Sequence, residues 1–182
     1  MRSTHYLACA LAAFVAGVGL ASAQTNAPVT ASTDIVRADG ERVGELTLTE
    51  GPAGVLIRIS VSGLTPGWHA MHFHAVAECS DAGFQASGSH VNSAEHAAPH
   101  GLLNPDGPDF GDLPNIYAGP DGTAYAEAIS NLVTLADAEH RAQLLDADGS
   151  ALVIHASADD HISQPIGGAG DRVACAAIQP AS

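Results

Sequence analysis

The chain has 182 residues, 20 acidic side chains against six basic ones, no lysine, and a formal net charge of −14. A surface this negative repels phosphate backbones and anionic lipid, which excludes nucleic acid and acidic membranes as partners. The length suits one domain with a core of its own.

Residues 1–23 read as a secretory leader. Arg2 supplies the positive start, residues 7–20 are almost wholly apolar or small, and Ala21-Ser22-Ala23 before Gln24 has the small-x-small cleavage form. The apolar run falls short of the roughly 20 residues that a spanning helix needs. Cys9 lies ahead of most of that run, whereas a lipid-attachment cysteine follows it. The expected mature domain is residues 24–182, exported to the periplasm or the medium of a bacterium and free of the membrane once the leader is cut.

The first mature segments alternate apolar and polar residues, which predicts strands over 33–38, 41–49 and 55–62. Asp39-Gly40 and Glu50-Gly51-Pro52 separate them as hairpin turns. Leu64-Thr65-Pro66-Gly67 then turns the chain into Trp68-His69-Ala70-Met71-His72-Phe73-His74. On a strand His72 and His74 share one face, with Met71 and Phe73 on the other. Two imidazoles at i and i+2 form a chelating pair that suits copper, zinc, iron or nickel. Alone the pair is a weak signal; further donors downstream, His90, His96, His100, Asp109, Asp112 and His155, strengthen it. His69, on the opposite face, is expected to be buried and structural, Trp68 to pack, and His140 and His161 to be solvated.

Residues 79–115 are rich in Gly, Ser, Pro, Asn and His without periodicity, too long for a structureless loop unless it has a function or a tie. Metal binding would offset the entropy of ordering it. Strands return at 115–118 and 123–129, joined by Gly119-Pro120-Asp121-Gly122. Residues 135–145 predict a short helical turn or an irregular crossover. Asp146-Ala147-Asp148-Gly149 resembles the start of a calcium loop but lacks the terminal Glu, so it reads as a turn. Residues 151–156 form a strand ending near His155, and a second loop, 157–171, holds Asp159, Asp160, His161 and Gly167-Gly168-Ala169-Gly170. That glycine run leads into a strand at 172–178 rather than a helix, so no helix N-terminus is available to bind phosphate. Cys79 and Cys175 are the two cysteines of the mature chain, and an exported protein with two cysteines pairs them more readily than it uses them as metal ligands.

Several segments together resemble a copper/zinc superoxide dismutase of the bacterial secreted type. They are His72-Phe73-His74, Cys79, Gly88-Ser89-His90-Val91-Asn92, His100-Gly101, Gly111-Asp112-Leu113-Pro114-Asn115, Leu152-Val153-Ile154-His155, Asp159-Asp160 and Gly170-Asp171-Arg172-Val173-Ala174-Cys175. The resemblance implies an all-β fold, an eight-stranded Greek-key sandwich or flattened barrel with two long functional loops, an architecture this enzyme family is known for. It implies copper held by His72, His74, His90 and His155, with His90 bridging to zinc. His100 and Asp112 would be zinc ligands, and Asp159 would link a copper-bound histidine to a zinc-bound one. Cys79 and Cys175 would form the disulfide, and Arg172 would guide the anionic substrate, superoxide.

One position departs from the family's pattern. Asp109 stands where a third zinc histidine is expected, nine residues after His100 and three before Asp112. Zinc accepts carboxylate oxygen, so a His-His-Asp-Asp site is chemically sound; His96 is the alternative ligand, and an empty zinc site would leave a copper-only dismutase. Copper cycling between two oxidation states would disproportionate superoxide to dioxygen and hydrogen peroxide, which redox-silent zinc cannot do. A copper-buffering protein without turnover is the competing function. A zinc hydrolase is disfavoured because no Glu stands close to the ligand set to act as base. The absence of lysines predicts weak steering of the substrate. Oligomeric state is not written in the sequence; a homodimer is the candidate assembly.

Overall fold

Alternation of side chains builds the first half of the molecule. In the computed structural model, residue 1 and residues 27–93, 97–136 and 140–180 are described; residues 2–23 of the expected leader and His96 lie outside them. Strands β1 (Thr30–Val36), β2 (Arg42–Gly51) and β3 (Gly54–Val61) form an antiparallel meander. Ile35, Leu46, Leu48, Ile57 and Ile59 face inward and are buried, while Asp34, Glu45 and Arg58 face out. Outer ion pairs such as Arg42–Asp34 and Arg58–Glu127 are more than half exposed, so they contribute little beside burial of each Leu or Ile side chain, about 1.5–3 kcal/mol.

Past this meander the chain crosses over repeatedly. β4 (Gly67–His69) and β5 (Met71–His74) are one extended run interrupted at Ala70. β4 pairs with β6 (Ile116–Ala118), and β7 (Ala124–Ser130) pairs with β3. β8 (Val133–Thr134) and β9 (Ala142–Gln143) make a short parallel pair. β10 (Ser150–His155) lies between β5 and β11 (Arg172–Ile178), and β11 returns beside β1. The main sheet therefore runs β5-β10-β11-β1-β2-β3-β7. With β4 and β5 counted as one run, eight principal strands make the curled Greek-key sandwich expected from the resemblance.

The segment around 135–145 is the irregular crossover of the two alternatives, with no helix among its described residues. A single carboxylate fixes it: Glu50 accepts from Thr134 Oγ1 at 3.1 Å, from the Leu135 amide at 2.6 Å and from Arg141 Nη1 at 2.8 Å. Those donors demand a backbone path that repeats nothing.

β10 is buried on both faces, which explains its unbroken apolar run. Leu152 and Ile154 join the main core with Phe73 and Leu113, while Ala151 and Val153 pack in a second cluster with Phe84 and Cys175. Cys175 is bonded to Cys79, 96 residues away, so the second cluster anchors the start of the long loop to β11. Two expectations are corrected. Trp68 is 58% exposed on β4, edge-on to the equally exposed Tyr117, because both face away from the sandwich interior. His161 is not solvated; its side chain is 18% exposed and lies against Asp159. His140 is exposed, as expected, and His69 is buried, with one ring nitrogen 2.7 Å from His155 O and the other 2.7 Å from Thr65 O.

Candidate metal centre

Strand register brings the donors together. β5 pairs with β10 so that His72 lies opposite Val153 and His74 opposite Ala151, while isolated bridges set His72 against Asp112 and His74 against His90. His155 ends β10 beside them. Ring centroids of His72 stand 4.1 Å from His90 and 4.9 Å from His155, and that of His74 stands 5.1 Å from His90. All four rings are buried.

Each ring is pinned by one nitrogen. His72 Nε2 donates to Asp159 Oδ2 at 2.9 Å, and His74 Nδ1 to Gly88 O at 2.9 Å. His90 Nδ1 donates to Asp109 Oδ2 at 2.8 Å, and His155 Nδ1 to Gly170 O at 3.1 Å. Carboxylates and carbonyls only accept, so the proton of each neutral ring sits on the pinned nitrogen and the lone pair on the other. Those other atoms, His72 Nδ1, His74 Nε2, His90 Nε2 and His155 Nε2, are buried and have no hydrogen-bond partner. A buried polar atom without a partner costs about 1–3 kcal/mol, and four in one place demand an explanation. A metal ion that accepts imidazole nitrogen supplies it. Burial above all keeps the rings in the ligating, neutral form: it lowers the pKa of His72 to about 4, of His74 to about 2 and of His155 to about 4.

A second donor group borders the first. Ligand atoms of His72, His90, His100 and Asp112 lie within 4.8 Å of one another, as do those of His72, His74 and His155. His100 Nδ1 donates to Asp112 Oδ1 at 2.5 Å, and His90 Nδ1 is 3.7 Å from the same oxygen. Asp109 is buried and stands on the His90 side, bonded to the nitrogen that this ring does not offer to the first group. Ligand atoms around a tetrahedral zinc at 2.0–2.2 Å are about 3.4 Å apart. His90, His100 and Asp112 bring donors to within 4.8 Å of one another together with His72; Asp109 does not belong to that group and reaches it through its bond to His90.

Asp159 joins the two groups, accepting His72 Nε2 through Oδ2 and His100 Nε2 through Oδ1 at 3.1 Å. Burial raises the pKa of its carboxyl, but the bonds from His100 and His72 outweigh this and hold it well below the usual carboxylate range. Burial likewise disfavours charge on His100, yet its bonds to Asp112 and Asp159 prevail and raise it to about 10. Arg172, at the start of β11, does not pair with Asp160 or Asp171. It donates through Nη1 to Phe84 O at 2.6 Å and to Ser87 Oγ at 3.0 Å, and through Nη2 to Gly88 O at 2.9 Å. Sequence reasoning missed the Gly88 carbonyl and the contacts of Asn115 and His161 with Asp159, because backbone acceptors and loop contacts leave no periodic trace.

Fold and site define a β-sandwich with two adjoining groups of buried histidine and carboxylate donors that could hold metal ions. Residues 42–178 match the family model of copper/zinc superoxide dismutase (SODC), and the chain belongs to that family. It is 54% identical to the Cu-Zn superoxide dismutase of Caulobacter vibrioides over 81% of this chain and 85% of that one. Among solved structures it resembles a double mutant of a superoxide dismutase-like protein from Bacillus subtilis, with a TM-score of 0.76, 33% identity, and coverage of 81% of this chain and 96% of that one. It also resembles the Cu/Zn superoxide dismutase of Brucella abortus, with a TM-score of 0.64, 27% identity, and coverage of 82% and 99%.

Proposed function

We propose that this chain is a superoxide dismutase that converts two superoxide anions and two protons to dioxygen and hydrogen peroxide. The observation that carries the reading is a set of four buried, unpartnered imidazole nitrogens on His72, His74, His90 and His155: ligand atoms of His72, His74 and His155 lie within 4.8 Å of one another, and the His90 ring centroid stands 4.1 Å from that of His72. These residues would hold copper, which supplies a one-electron couple able both to oxidise and to reduce superoxide. The rest falls to the chain. His90 faces the carboxylates of the second group through Nδ1, 2.8 Å from Asp109 and 3.7 Å from Asp112, which supports it as the residue that takes a proton at Nε2 and delivers it to the reduced oxygen. Arg172 is always charged and presents a planar fork suited to a small oxyanion. The carbonyls of Phe84 and Gly88 hold it, and the Cys79–Cys175 disulfide holds the loop that carries them.

His90, His100, Asp109 and Asp112 would hold zinc as a fixed, redox-silent charge. The Asp109–His90 bond supports a second reading, a copper-only enzyme, because it satisfies and orients His90 Nδ1 without a second metal. The leader reading, residues 1–23, goes with export into a bacterial periplasm or beyond. Stopped-flow decay of superoxide, with metal analysis of the same sample, tests the proposal. Copper-dependent acceleration of decay is expected. Copper bound without acceleration would make the chain a copper buffer, and no copper bound would refute the site.

A further inference from the structure

Asp159 has more partners than a link between two histidines needs. Besides His72 and His100, its Oδ1 accepts the His161 backbone N–H at 2.6 Å, and its Oδ2 lies 3.3 Å from His161 Nδ1. Gly167 makes room for the carboxylate: a Cβ there would come within 1.6 Å of Oδ1.

The His161 ring is oriented from its other side by Asn115. Asn115 Oδ1 accepts the Asp159 N–H at 2.9 Å, so the NH₂ end of that amide is the one that faces His161. Asn115 Nδ2 donates to Asp159 O at 2.9 Å and lies 3.2 Å from His161 Nε2. An NH₂ group only donates, so Nε2 carries the lone pair and Nδ1 carries the proton. Nδ1 is buried and without a hydrogen-bond partner; it faces the carboxylate at ion-pair range rather than in hydrogen-bond alignment. The backbone is clamped as well. His161 has φ 62°, a left-handed conformation uncommon for a residue with a side chain. Its carbonyl accepts the Leu103 amide at 3.0 Å, in the loop that carries His100, and a Cβ on Gly101 would come within 2.4 Å of that oxygen.

We propose that His161 is a positioning residue for the reaction, its Nδ1–H facing Asp159 Oδ2 from 3.3 Å as a third imidazole dipole beside the carboxylate. The proposal rests on the reading of His72 as a copper ligand. A carboxylate bonded to the far nitrogen of a metal-binding imidazole raises the basicity of that ring. A further N–H dipole against the same carboxylate stabilises its charge and makes it a weaker acceptor from His72, which makes His72 a weaker donor and favours copper(I) over copper(II).

The test compares the copper reduction potential of the wild type, His161→Leu and His161→Asn, each loaded with copper and zinc. Leu and Asn are alike in size, but only the Asn amide places a donor where Nδ1 stands, and Asn tolerates the left-handed backbone. The potential is expected to fall in His161→Leu and to return toward the wild-type value in His161→Asn. Equal potentials in the two variants, or no fall in the Leu variant, would overturn the proposal. Nitrogen-15 NMR of the reduced wild-type chain decides independently of whether the variants fold: a proton on His161 Nδ1 is expected, and a proton on Nε2 overturns the assignment. Failure of the wild type to bind copper would instead strike the copper reading, and the tautomer would still be read from the same spectrum.

Discussion

Arg172 and His74 are tied to one carbonyl: Nη2 of the guanidinium and Nδ1 of the imidazole both donate to Gly88 O, each at 2.9 Å. The charge that would meet the substrate and a ring that would hold copper are therefore fixed by the same backbone atom. Arg172 contributes to the lowering of the His74 pKa, after burial. Arg172→Ala removes both the charge and the clamp. With no lysine in the chain to share the steering, the rate constant for superoxide decay is expected to fall about tenfold or more. Arg172→Lys keeps the charge but not the fork, and is expected to recover part of the rate and its salt dependence. Stopped-flow decay over a range of ionic strength checks this; an unchanged rate in Arg172→Ala would remove the guide role.

The proposed role of Asp109 in the second site is tested by changing it. Asp109→His provides an imidazole in place of the carboxylate, and zinc affinity is expected to rise, because imidazole nitrogen suits zinc better than carboxylate oxygen does. Asp109→Ala leaves His90 Nδ1 without its acceptor, and zinc affinity is expected to fall about 10–100-fold. Competition with a chromophoric chelator measures both. Unchanged zinc affinity in Asp109→Ala would mean that Asp109 is not a ligand.

The sequence made the proposed copper donors legible and the second donor group less so. His72 and His74 declare themselves by the two-residue period of a strand, and His155 by ending an apolar run, since such patterns reflect burial directly. Asp109 could be placed by its distance from His100 and Asp112, yet its bond to His90 depends on how the loop folds back. The His161 contact was invisible for the same reason: nothing local marks a ring that points inward from a loop toward Asp159. Trp68 misled in the opposite direction, because a large apolar ring usually packs inside and this one lies on the outer face of β4.

Breaking the Cys79–Cys175 bond tests the link from stability to site. The loop it closes spans 96 residues, for which the entropy of the unfolded chain predicts a loss of about 4–5 kcal/mol. The bond also anchors the loop bearing Phe84, Ser87 and Gly88, the three acceptors of Arg172. Cys79→Ser with Cys175→Ser is therefore expected to lower the unfolding midpoint in urea and, in the protein that remains folded, to slow superoxide decay. Slowed unfolding, or activity equal to wild type per bound copper, would contradict this coupling.

Stability of the metal-free protein should depend on pH from both sides. His72, His74 and His155 have pKa values lowered from 6.5 by burial. Below 6.5 the unfolded chain takes up protons at these rings that the folded chain refuses, so stability falls as the pH drops. Asp159, also lowered, adds to the loss at still lower pH, once the unfolded carboxyl begins to protonate near 3.8. His100 has the opposite sign: raised to about 10, it contributes stability that is fully present below 6.5 and is lost as the pH rises from there through 10. The metal-free chain is expected to be most stable near pH 6.5, with a lower urea midpoint at about pH 4.5 and at about pH 9.5. Zinc takes the place of the proton on His100, so loading the second site should flatten the alkaline side of the profile and leave the acid side to the copper-site rings. His100→Asn should abolish the alkaline decline in the metal-free protein. A decline that persists in that variant would assign it to another group.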